Sequence, residues 1–284
     1  MNAIVHTADW HEARRSRARV FQWEPENCPA HVPQVALIHG LCCNVREWEQ
    51  LGARLAACGL RVVAPELRGH GLTAAADGDY SLQGLAEDVF AAARPGPDTV
   101  VVGHSLGGAI AIELAARHTV KQVVTVSGYI HAKYDGASHA EAVAALTPPE
   151  GWAAPPEVWK ETVAGYWEPE TPDPAWLRRY FDDGLKSNPD GNLEPRLPWH
   201  RRVEIVDSLA DHNPIEALRG STAELTAVLA GADETCVSGW QDEESILTAR
   251  PAARIIRVAG GRHYLPFGRP QAVLEAVLAA VWKK

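Results

Sequence analysis

Along the first half of the chain, short apolar runs alternate with stretches in which apolar residues recur at helical spacing. Residues 34–38 (QVALI), 61–67, 99–102 and 120–126 are too short for helices and rich in β-branched side chains. Such runs, bounded by turn residues, predict strands buried on both faces. Residues 18–23 (ARVFQW) alternate enough for an edge strand leading into them. Between the runs, 45 to about 58 predicts a helix that buries Trp48, Leu51 and Leu55 and stops at Gly59, with Asn44 and Glu47 at the spacing of a capping box. Ser81 predicts the cap of a second helix carrying Leu82, Leu85 and Val89 on one face, and residues 106–117 predict a third.

The rhythm stops at about Gly128 and resumes near Pro214. The stretch between is rich in proline and tryptophan, and no run in it reads as a buried strand. About four helices are expected there. Ser138 and Glu141 form a capping box for one ending at Leu146, Pro155 and Pro174 suit first helical turns, Gly184 is a stop, and the last covers 199–209. Trp152, Trp159, Trp167, Trp176 and Trp199 all fall in this stretch. Beyond it, 225–230 and 254–258 predict strands, and Pro270 opens a helix with Val273, Leu274, Val277, Leu278 and Val281 on one face. Strands alternating with helices give an α/β fold with a mostly parallel sheet covered on both faces. The expected organisation is a core of residues 1–128 and 214–284 with a helical insertion at 129–213.

At 284 residues with 46% apolar and 22% charged side chains, the chain can bury a substantial core. A net charge of −9 argues against nucleic acid or an anionic membrane as partner. No apolar run reaches the roughly 18 residues of a membrane span, and no signal-peptide core stands at the N-terminus. Arg14, Arg15, Arg17 and Arg19 are expected on a solvated edge strand, with Asp9 and Glu12 arguing against a transit peptide. The five cysteines include the adjacent pair Cys42 and Cys43, and free thiols in a reducing cytoplasm are the expectation. No His, Cys, Asp or Glu group shows metal-ligand spacing, so neither metal nor cofactor is expected.

The densest chemical signal is G-H-S-L-G at 103–107, set between a predicted strand and a predicted helix. A serine on so sharp a turn is exposed at a helix N-terminus, where free N–H groups favour negative charge. Gly103 and Gly107 are then what the crowding needs. With HGLCCN at 39–44, PELRGHG at 65–71, LAGADE at 229–234 and GGRH at 260–263 in that order, the chain resembles the serine α/β-hydrolases over nearly its whole length. The insertion at 129–213 resembles the cap that many of them carry.

That resemblance implies Ser105 as nucleophile and His263, in its glycine-flanked loop, as the base that a serine hydroxyl needs. His104 and His39 take structural places beside the site. Attack on a carbonyl needs two preplaced N–H donors; Leu106 follows the nucleophile, and the resemblance implies Leu41 for the second. For the acid, the family's spacing from Gly231 lands on Glu234, with Asp233 as the alternative one residue nearer the strand. His39, Cys43, Trp152, Trp159 and Trp167 are candidate pocket residues. GHGLTA at 69–74 formally fits a dinucleotide-binding pattern, but Asp77-Gly78-Asp79 interrupts any following helix. The expected activity is hydrolysis of a carboxylic ester, lactone or thioester of a small apolar substrate through an acyl-enzyme. The alternatives are a C–C hydrolase, an amidase, a cofactor-free haloperoxidase or a non-catalytic ligand-binding protein on the same fold. The expected partner is a small-molecule substrate, and the sequence leaves monomer or homo-oligomer open.

Overall fold

In a computed structural model, residues 4–14, 16–29, 31–128, 139–164, 173–231, 246–247 and 250–282 are described. Ten strands are seen among them: β1 (Ile4–Glu12), β2 (Arg17–Pro25), β3 (Gln34–Ile38), β4 (Arg61–Pro65), β5 (Val100–His104), β6 (Gln122–Val126), β7 (Leu185–Ser187), β8 (Leu193–Pro195), β9 (Glu224–Ala230) and β10 (Arg254–Val258). The helices are α1 (Glu49–Ala57), α2 (Leu82–Ala93), α3 (Leu106–Arg117), α4 (His139–Leu146), α5 (Pro156–Ala164), α6 (Pro174–Gly184), α7 (Trp199–Ala210), α8 (Pro214–Arg219), α9 (Leu265–Gly268) and α10 (Pro270–Trp282). Eight strands form one sheet in the order β1-β2-β4-β3-β5-β6-β9-β10. From β4 onward the neighbours are parallel, while β1–β2 and β2–β4 are antiparallel.

Period-two alternation divides the core. On β3, Val35 and Leu37 face α1 and α10, where Leu51, Leu55, Val273 and Val277 are buried together with Trp48, just before α1. Ala36 and Ile38 face the other way, toward Leu82, Leu85, Ile110 and Leu114 of α2 and α3. Both faces of the central strands are thus covered by apolar helix stripes, which is why those strands read as continuous apolar runs. At Gly52, an added Cβ would stand 2.5 Å from the Trp23 ring, so α1 packs directly on β2 through a glycine.

Two expectations differ from the structure. The strand over 18–23 is not an edge; β1, more polar and paired on one side only, lies outside it. Arg19 is not solvated. Its guanidinium is buried between the carboxylates of Glu66 and Asp183, which lie far away in sequence. Arg17 is exposed beside Glu12, while Arg15 lies outside the described residues.

Between β6 and β9 the chain leaves the sheet for α4 to α8. Ser138 is outside the described residues. Pro155 sits one residue before α5, which Pro156 opens, whereas Pro174 follows the Asp173 cap of α6 directly. The stretch also holds the small β7–β8 hairpin, whose three-residue strands are too short to give an apolar run to read. Gly184 ends α6, and an added Cβ there would lie 2.9 Å from Asn44 Nδ2, so it lets the helix end approach the core. Among the described residues no helix is long and apolar enough to cross a membrane.

Candidate active site

Ser105 caps α3 in a conformation that L-residues rarely adopt, with φ 52° and ψ −120°. The surroundings fix it there. Its N–H donates to the Val126 carbonyl at 3.0 Å, and its carbonyl accepts from Gly108 at 2.8 Å. An added Cβ on Gly103 would stand 2.0 Å from the Gly107 carbonyl oxygen, and one on Gly107 would stand 2.2 Å from that of Ile38. Both glycines are therefore steric requirements of a turn that stores backbone strain and lifts the hydroxyl out of the strand.

The loop after β10 carries His263 back over this turn, with Gly260 at φ 65°. His263 Nε2 lies 3.1 Å from Ser105 Oγ, in position to accept the hydroxyl proton. Burial pushes the imidazole pKa down to about 3, and the charge of His104 adds to the effect. His263 is thus neutral near pH 7, the form that can take a proton.

His104 faces away from the hydroxyl. Its Nε2 donates to the His263 carbonyl at 3.0 Å, and its Nδ1 contacts Glu47 Oε1. Glu47 Oε2 accepts from the Gly40 N–H at 3.0 Å. The capping box expected of Asn44 and Glu47 is therefore half wrong. Asn44 does cap, accepting from Arg46 N, but the Glu47 carboxylate turns inward to the site. Gly40 lies against the elbow, where an added Cβ would be 3.4 Å from Ser105 Cβ. Leu41 and the strained Cys42 (φ 58°) follow Gly40, and Leu106 opens α3 directly after Ser105.

A cavity of about 450 Å³ adjoins the site. Its walls include Leu41, Cys43, Trp152 and Trp159 among the expected residues, with Tyr180, Phe181, Arg202, Tyr264 and Phe267 besides. His39 is not part of the wall. It is fully buried, its Nδ1 donating to the Gly40 carbonyl and its Nε2 accepting from Leu67 N at 3.0 Å, so it braces two loops beneath the site. Trp176 packs on Tyr180 and Phe267, and Trp199 donates to the Pro148 carbonyl.

Residues 35–276 match the profile of the alpha/beta hydrolase family. The chain belongs to that family. The chain is 31% identical to lipase LipV of Mycobacterium tuberculosis over 205 residues, 71% of this chain and 76% of that protein. It is 34% identical to the magnesium-chelatase 30 kDa subunit of Rhodobacter capsulatus over 118 residues, 40% of this chain but only 41% of that protein. Among solved structures, the thioesterase domain from the curacin biosynthetic pathway superposes with a TM-score of 0.72 at 18% identity, covering 96% of this chain and 99% of that one. At that identity the likeness shows the fold alone.

Asp233, Glu234 and Trp167 lie outside the described residues. The fold also gathers donor atoms that no sequence spacing announces. Those of Cys43, Glu47 and His104 lie within 4.8 Å of one another, all buried. Burial, with the Glu47 charge second, pushes the Cys43 thiol well above its ordinary value. A protonated thiol serves as a hydrogen-bonding group, here toward the Tyr180 hydroxyl, and is a poor metal ligand. Sequence reading missed Glu47 as a site residue because its spacing imitates a cap. It missed Tyr180 and Arg202 because nothing local marks which helix face looks into a cavity.

Proposed function

We propose that this protein is a serine hydrolase cleaving a carboxylic ester, lactone or thioester of a small, largely apolar substrate through an acyl-enzyme. The observation that carries the reading is the 3.1 Å approach of a half-buried, neutral His263 Nε2 to the hydroxyl of Ser105, itself strained at the start of α3. His263 takes the hydroxyl proton as Oγ attacks the carbonyl carbon. The resulting oxyanion is held by the backbone N–H groups of Leu106 and Leu41. As the tetrahedral species collapses, His263 gives its proton to the leaving oxygen or sulfur. Water then repeats the sequence on the acyl-enzyme, releasing the acid and restoring Ser105.

A base depressed to about 3 is a weak one, and a carboxylate at its other nitrogen would bring it back toward neutrality. Glu234 is the proposed acid, on its spacing from Gly231, with Asp233 as the alternative. The stretch at 129–213 is proposed as a lid, since α4 to α7 supply Leu146, Trp159, Tyr180 and Arg202 to the cavity wall. The name of the lipase relative agrees with ester chemistry. A fluorophosphonate probe should label the protein stoichiometrically at Ser105, and Ser105→Ala should lose labelling and about 10³-fold or more of kcat while staying folded. Turnover within tenfold of the parent in that variant would refute the assignment.

A further inference from the structure

Among the described residues that line the cavity, Arg202 of α7 is the only charged one, and the other walls are mostly aliphatic and aromatic. In a chain of net charge −9, a lone cation in an apolar wall has a cost that water does not repay in full. Among the described residues the side chain is anchored at one point. Its Nε donates to the Leu146 carbonyl at 2.8 Å, at the C-terminal end of α4. No carboxylate among the described residues pairs with it. Its neighbour Arg201, by contrast, is paired with both Glu204 and Asp77. The Arg202 charge also reaches inward, since it is felt by the Cys42 thiol, next to Leu41, and by His70.

A guanidinium held by Nε keeps its two Nη groups as a planar pair of donors, the geometry that takes a carboxylate or phosphate oxygen pair. We propose that Arg202 binds an oxyanionic group on the substrate, a carboxylate or phosphate ester carried away from the scissile bond, while the aromatic wall takes the apolar chain between. This rests on the hydrolase reading and narrows its substrate class from a plain apolar ester to an amphipathic one.

The test uses two matched pairs of substrates. Para-nitrophenyl hydrogen adipate is set against para-nitrophenyl hexanoate, and hexanoyl-coenzyme A against hexanoyl-N-acetylcysteamine. Within each pair the reacting acyl carbons are alike; the first pair differs only in the terminal carboxylate, the second in the phosphate-bearing pantoyl and nucleotide portion of coenzyme A. Arg202→Gln should lower kcat/KM for the anionic member of one pair about 10- to 100-fold more than for its neutral partner. The adipate pair responding identifies a carboxylate, and the coenzyme A pair a phosphate. Unchanged ratios in both pairs overturn the proposal, even if all rates fall, because Arg202 would then only hold the end of α4. Should the wild type turn over none of the four, the hydrolase reading fails separately. Binding to Ser105→Ala then decides the matter for Arg202. Tighter binding of monomethyl adipate or coenzyme A than of methyl hexanoate, lost in Ser105→Ala/Arg202→Gln, supports the proposal. No binding, or equal dissociation constants in the two variants, overturns it.

Discussion

Glu47 has no exposed side-chain surface, and its two oxygens face separate parts of the site, Gly40 on one side and His104 on the other. Through His104 it also reaches the carbonyl of His263. It touches no reacting atom, so its part is positioning. Glu47→Gln turns one acceptor into a donor facing either an N–H or an imidazole nitrogen, and the loop at Gly40 must shift. Misplacement by about 1 Å is worth on the order of 10²-fold in rate. The expected outcome is a fall in kcat of about 10- to 100-fold with KM changed less than about threefold, measured per fluorophosphonate-titrated site. Unchanged kcat per titrated site, with only a lower Tm, would make the residue purely structural. The acid at 233 or 234 is tested by amides. Glu234→Gln should lower kcat by several orders of magnitude and, by removing the charge that raises the base, move the acid limb of kcat/KM to lower pH. Asp233→Asn should do far less; the reverse ranking would transfer the role.

The element that ties the inserted stretch to the sheet is α6. Asp183 lies between Arg19 of β2 and Arg46, which precedes α1, while Asn44 Nδ2 donates to the Tyr180 carbonyl at 2.9 Å and Arg179 pairs with Glu49 at 2.8 Å. Asp183→Ala leaves two little-exposed guanidiniums short of a partner, a change that costs about 3 kcal/mol in buried pairs. Urea unfolding should show it as a lower midpoint at unchanged m. A loss below about 1 kcal/mol would mean that solvent already screens the cluster. None of this was legible in the sequence, where Arg19, Arg46 and Asp183 are remote from one another and each resembles a surface charge. The central strands were legible because burial on both faces leaves an unbroken apolar run, as at residues 34–38 and 99–102. β1 was not, because a strand paired on one side keeps polar residues such as His6, Asp9 and His11. Ser105 was readable for a steric reason, since its two glycines stand where any Cβ would collide. The cavity wall was not, because Tyr180 and Arg202 reach it only once α6 and α7 have docked.

For the molecule as a whole, the buried histidines set the response to acid. His39 accepts a backbone N–H from Leu67 at Nε2, so that nitrogen has no room for a proton while the bond lasts. Burial, with His70 nearby, holds its pKa well below 6.5, and burial takes His70 to about 4. Between those values and 6.5 the unfolded chain binds protons that the native one does not, so stability rises with pH across this window and is lost as pH falls. Each histidine contributes up to about 1.4 kcal/mol per pH unit there, beginning just below pH 6.5. Glu66 and Asp88, raised mainly by burial, act oppositely, because protonating them in the native state is favourable, but they do so only nearer the carboxylate range. The net expectation is a urea midpoint that is flat from pH 8 to 7 and declines steadily from about 6.5 to 4.5. Replacing His70 with Gln, which cannot titrate, should lessen that slope by about one proton even if the variant is less stable at every pH. An unchanged slope in this variant, or a midpoint that does not move between pH 6.5 and 4.5, would show that these imidazoles already carry protons in the native state.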